Sequence, residues 1–153
     1  MRRHFVLYAL LAFAGLTLAQ QHLAMPDPKL TPGKIRTSNA AEICDPAFRT
    51  GPWRKTTASM KKHVCAAYKV KNCPAEGKME LDHLLPLELG GLDDERNLWV
   101  QPAPDYHWKD ALENALHAKV CKTHELQLAE AQACIITNWV KCYEKHVGPL
   151  PSP

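Results

Sequence analysis

Between residues 80 and 109 the chain gathers the side-chain types used in acid–base and cation chemistry. They are Glu80-Leu81-Asp82-His83, then Asn97-Leu98-Trp99, then His107-Trp108-Lys109-Asp110. Hydrolysing a phosphodiester needs a water that loses its proton in line with phosphorus, and a neutral imidazole such as His83 can take it. It also needs a cation on the phosphate and leaving oxygen. One carboxylate, Asp82, and one imidazole, His107, leave a divalent ion with positions open for water and phosphate. Adjacent residues of a strand point to opposite faces, so Asp82 can hold an ion on one side while His83 meets water on the other. An amide such as Asn97 can fix the histidine by bonding to its backbone or its ring.

These residues need a strand, a loop, a strand and a helix to place them. Lys78 to Leu85 alternates, with Met79, Leu81 and His83 on one face and Glu80, Asp82 and Leu84 on the other. Pro86 to Asn97 reads as a loop with Gly90-Gly91 in it. Leu98 to Gln101 reads as a second strand, stopped by Pro102. Trp108, Leu112, Leu116 and Val120 recur every four residues and predict a helix over 106–120. Leu128, Ala131, Ile135, Trp139 and Tyr143 predict a last helix over 126–146. Thr56 or Thr57 caps a helix over 58–69, whose face is Met60, Val64, Ala67 and Tyr68. Residues 20–40 carry Pro26, Pro28, Pro32 and Gly33 and read as an extended lead-in. Residues 41–148 then form a single α+β domain, and 149–153 a frayed tail. Asp93-Asp94-Glu95 reads as a solvated turn. Trp99 and Trp108 read as core rather than as base-stacking rings.

The chain has 153 residues, 46% apolar and 23% charged, an ordinary globular composition that rules out collagen-like or wholly disordered chains. Met1-Arg2-Arg3-His4 followed by the apolar run Phe5 to Ala19 reads as a secretory signal peptide over 1–19, being shorter than the ~20 residues of a membrane span. The expected product is secreted or periplasmic, free of the membrane after cleavage, and monomeric. The net charge of +3 is too small for a basic-protein argument, but charge is unevenly spread. Residues 29–71 hold ten Lys/Arg against Glu42 and Asp45, whereas 76–96 hold seven acids against Lys78 and Arg96. A basic arm beside an acidic centre suits a polyanion held over a metal ion, and equally an internal charge match. Arg49, Arg54, Lys55 and Lys109 are the candidate phosphate contacts.

All six cysteines lie after residue 19, an even count that reads as three disulfides in an exported protein. Cys134 and Cys142 fall in one continuous helix by pattern. There they would be ~12 Å apart at 1.5 Å rise per residue, so each is expected to pair elsewhere. His117, Cys121 and His124 also have zinc-like spacing.

The run Glu80 to Gly91, with Asn97-Leu98-Trp99 and His107-Trp108-Lys109-Asp110, resembles the HNH endonuclease superfamily, whose core is the ββα-metal finger. It is most similar to that superfamily's small secreted bacterial members, which the flanks Arg36-Thr37 through Cys44 and Glu113-Asn114 through Trp139 also resemble. The core resemblance covers some thirty residues. It implies Asp82 and His107 as metal ligands, His83 as general base, Asn97 as its orienter, and a Cys44–Cys121 disulfide. The Cys-x-x-Cys pair that binds structural zinc in many members is missing around the core. His107 also stands closer to Lys109 than is common, so Asp105 or Asp110 could replace it. The implied activity is divalent-metal-dependent cleavage of DNA or RNA with low sequence specificity. Mg2+ is the expected ion, with Mn2+, Ni2+ and Zn2+ as alternatives. Two rivals stand beside it: a non-catalytic binding module on the same scaffold, and a zinc-structural protein that holds zinc at His117, Cys121 and His124 and keeps its thiols free.

Overall fold

The computed structural model describes residues 23–75 and 77–150. The expected signal segment 1–19 lies outside them.

The element order is α1 (Ala40–Ile43), α2 (Ala58–Ala67), β1 (Met79–His83), β2 (Leu98–Pro102), α3 (Asp105–Cys121) and α4 (Leu128–His146), with short 3-10 turns between. The protein is α+β, with one two-stranded antiparallel sheet pairing Asp82 with Trp99 and His83 with Leu98. Alternation in 79–83 sends His83 to the face of Leu98, and Glu80 and Asp82 to the face of Trp99 and Gln101. Thr57, rather than Thr56, caps α2, its side chain accepting from the Met60 N–H at 3.1 Å. Trp99, Leu112, Leu116, Ile135 and Trp139 fill the core, where α3 crosses α4. Trp99 is buried and Trp108 packs against the core, as the sequence predicts.

The lead-in is a strap rather than a loose arm. The Ala24 N–H donates to Asp105 Oδ2 at 2.8 Å, and Trp139 Nε1 donates to the Ala24 carbonyl at 3.0 Å. Further on, Thr31 Oγ1 donates to the Leu98 carbonyl at 2.8 Å. Leu150 packs against the core, so the expected fraying does not begin at 149.

Three disulfides close the fold: Cys44–Cys121, Cys65–Cys73 and Cys134–Cys142. Three such bonds fit an extracellular or otherwise oxidising environment. Among the described residues no helix is long and apolar enough to cross a membrane. Cys44–Cys121 ties α1 to the end of α3 across 77 positions. Loss of such a cross-link typically costs ~2–5 kcal/mol. The expectation that Cys134 and Cys142 pair elsewhere is corrected. Their Cα atoms are 5.5 Å apart because α4 is not one rod. Asn138 leaves helical geometry at φ −165° and ψ 95°, and its side chain caps the second half of α4 by accepting from the Lys141 N–H at 2.9 Å. The free-thiol zinc reading is corrected too, since Cys121 is bonded to Cys44 and His124 Nδ1 lies on the Val120 carbonyl at 3.1 Å.

Candidate functional site

The strand end Asp82-His83 opens on a cleft of about 100 Å³ lined by Thr50, Arg54, Asp82, His83, Glu88 and Glu113. His83 is 4% exposed, and Asp93, not an amide, holds its ring. His83 Nε2 and Asp93 Oδ1 are 2.8 Å apart. Asp93 also accepts from Thr56 Oγ1 at 2.6 Å and from the Lys55 N–H. Burial pushes the His83 pKa below its ordinary value and Arg54 adds to this, against the opposing pull of Asp93 and Asp82. The imidazole is therefore neutral at pH 7. Burial pushes the Asp93 carboxyl up, but the bonds from Thr56, His83 and the Lys55 N–H outweigh it and the pKa ends low. An ionised carboxylate only accepts, so the imidazole proton sits on Nε2 and the lone pair on Nδ1. Nδ1 has no protein partner among the described residues. The His83 side chain lines the cleft.

On the other face, Lys109 is completely buried. Its Nζ donates to Asp82 Oδ2 and to the His83 carbonyl, each at 2.6 Å, and to Glu113. The expectation that Lys109 contacts phosphate is corrected: all three donors of its ammonium are spent inside the fold. Burial alone would discharge Lys109, but Asp82 and Glu113 overcome it and raise its pKa. Glu113 is pushed up by burial and by the Asp82 charge, against Lys109.

Among the described residues Asp82 Oδ1 has no hydrogen bond, while Oδ2 serves Lys109. Nearby, burial and the Asp82 charge raise the pKa of both Glu80 and Asp110, and His107 and Lys109 partly offset this. His107 is exposed in the first turn of α3. Glu80 and Asp110 therefore hold their protons more readily than free carboxyls do. Asp105, 6% exposed, accepts from the Ala24 N–H through Oδ2. Among the described residues, neither Asp82 nor His107 belongs to a group of three or more acids, histidines or cysteines whose donor atoms all lie within 4.8 Å. Cys134, Cys142 and His146 do form such a group, and it can hold a metal ion. Its sulfurs are joined in a disulfide, so thiolate ligands exist there only after reduction.

Asn97 orders the loop rather than the ring. Fully buried, its Oδ1 accepts from the Leu85 N–H at 3.0 Å, and its Nδ2 donates to the carbonyls of Leu85 and Leu92 at 2.8 Å. Its own carbonyl accepts from the Leu84 N–H at 2.7 Å. It therefore fixes the backbone just after His83 and carries the turn that brings Asp93 back to it. Gly91 is required in that turn, since a Cβ there would lie 2.0 Å from the Leu85 carbonyl oxygen. Asn97→Ala strips these side-chain bonds from buried backbone groups. It is expected to cost about 2–4 kcal/mol in chemical denaturation, summing the penalties of groups left unpaired.

The remaining candidates are exposed around the cleft. Arg54 lines it, while Lys55 comes next in the chain and gives its N–H to Asp93. Arg49 Nη1 is pinned to the carbonyls of Pro46 at 2.8 Å and Phe48 at 2.7 Å. It lines a larger hollow of about 440 Å³ together with Phe48, His117 and Lys122. The reading of 93–95 as a solvated turn is corrected at Asp93, whose side chain is 3% exposed and bonded to His83, and neither Asp93 nor Glu113 is a site candidate by sequence. Glu113 carried a signal, its i,i+4 spacing from Lys109. Asp93 carried none, being one acid in a run of three.

No family model, curated protein or solved structure matches this chain.

Proposed function

We propose that this chain is a secreted, divalent-metal-dependent endonuclease of the HNH type, cutting phosphodiester bonds in DNA or RNA with low sequence specificity. The observation that carries the reading is His83: neutral, oriented through Nε2 by Asp93, with its side chain lining a cleft that Asp82 and Arg54 share. The resemblance around Asp82-His83, Asn97 and His107 supports it, as does the chain order β1, loop, β2, α3.

In this reading a water in the cleft gives its proton to Nδ1 of His83 as it attacks phosphorus, and Asp93 stabilises the imidazolium that forms. Arg54 meets the phosphate at the cleft mouth. Asp82, through Oδ1, and His107, or Asp110 beside it, would hold the ion. Mg2+ or a similar cation supplies neutralisation of phosphate charge and of the leaving oxygen. Lys109 keeps Asp82 aimed through its bond to Oδ2. Asn97 is a positioning residue for the loop behind the base. The basic arm grips the backbone through Arg49, Arg54 and Lys55, so affinity is expected to fall log-linearly with salt.

Incubation with supercoiled plasmid is the test. Nicking with Mg2+ and none with EDTA supports the reading, and no cleavage of plasmid, single-stranded DNA or RNA with any divalent ion contradicts it. One observation favours a non-catalytic binding module instead, namely that an ammonium already occupies Asp82 Oδ2. Such a module retards nucleic acid on a gel and never cuts it.

The pH dependence follows from the depressed His83 pKa. The base works neutral, so the rate should be flat near pH 7 and fall only below the ordinary histidine value of about 6.5. Stability moves the same way. The unfolded chain binds this proton near 6.5 and the folded one only lower down, so stability is lost as pH falls through that window. Initial rates and urea midpoints across pH 4 to 8 (roughly the range histidine and carboxylates span) read out both.

A further inference from the structure

Trp53 ends the 3-10 turn Gly51–Trp53, between Thr50 and Arg54, both of which line the His83 cleft. It is 39% exposed in a protein whose other described tryptophans are buried in the core or packed against it. One face of its ring is already occupied. The Arg36 guanidinium carbon lies 3.9 Å from the Trp53 ring centroid and 5.9 Å from that of Phe48. Arg36 is itself fixed, since its N–H donates to the Gly90 carbonyl at 2.8 Å and its side chain pairs with Glu42. Its Nε and Nη2 are sealed without conventional acceptors, which leaves the aromatic faces as their partners. The indole is therefore backed by a fixed cation and remains 39% exposed.

Exposed Arg49, Arg54 and Lys55 flank Trp53 along the chain, cations suited to phosphates. A fixed aromatic face flanked by cations is the arrangement on which unpaired bases stack. In a duplex both faces of each base are covered by neighbours, so such a ring can take only a base free of its stack. We propose that Trp53 is a stacking platform for an unpaired base, and that the preferred substrate of the cleft is single-stranded nucleic acid. This rests on the nuclease reading for the cleft, but the platform can be tested by binding alone.

The experiment is fluorescence anisotropy in EDTA, so that nothing is cut, with a dye-labelled oligothymidylate and a hairpin duplex as probes. Trp53→Ala should weaken single-strand binding about tenfold, with the duplex changing less than about twofold, and Trp53→Phe should restore most of the loss. Unchanged circular dichroism and melting show that the variant is folded. Single-strand binding unaffected by Trp53→Ala, equal losses on both probes, or no binding of either probe by the wild type each overturns the proposal. Binding that shows the expected pattern without cleavage on adding Mg2+ defeats the nuclease reading while leaving the platform standing.

Discussion

His83→Ala is expected to lower the cleavage rate by about 10²–10⁴-fold, the usual contribution of a positioned proton acceptor. The fold should survive. Asp93 keeps its bonds from Thr56 and the Lys55 N–H, so the deletion does not orphan a buried charge. Asp93→Asn separates orientation from proton transfer. The amide oxygen can still accept from Nε2, but the negative charge that raises the His83 pKa is gone. The rate should drop less than in His83→Ala, and the acid limb of the pH profile should move lower still. A His83→Ala protein that melts like wild type and cuts at the wild-type rate would remove the base from the account.

The second large effect is on stability. Lys109→Met removes the one cation between Asp82 and Glu113 and leaves two carboxylates facing each other under α3. Breaking a buried ion pair from one side costs about 3–5 kcal/mol, because the remaining charge has neither water nor a partner. Protonation relieves that charge, and burial already favours the protonated form of Glu113. The deficit in urea denaturation should therefore shrink as pH falls. Adding Glu113→Leu to Lys109→Met should recover part of it at neutral pH. A loss below about 1 kcal/mol at pH 7 would place Lys109 among ordinary surface pairs, against its full burial.

Most of the scaffold was legible because it rests on short-range signals. Alternation over 79–83 and the four-residue period from Trp108 to Val120 depend on local geometry, and so does the Thr57 cap. Long-range pairings left weaker traces. Asp93 reaches His83 only because Asn97 and Gly91 fold the intervening loop into a tight return, and nothing in Asp93-Asp94-Glu95 says which acid turns inward. Lys109 reads as a surface cation because lysine usually is one, and its burial depends on two acids converging from β1 and α3. The break at Asn138 is hidden under an apolar period that continues from Ile135 to Trp139 and Tyr143, and that hidden break is why the Cys134–Cys142 pairing was unreadable.

The measurement closest to the central claim is nitrogen-15 NMR of the His83 ring. At pH 7 it should show an uncharged imidazole protonated on Nε2, with Nδ1 bare and titrating only on the acid side of an ordinary histidine. A ring charged at neutral pH, or one carrying its proton on Nδ1, would leave no lone pair on Nδ1 and would contradict the assignment of His83 as the group that activates water.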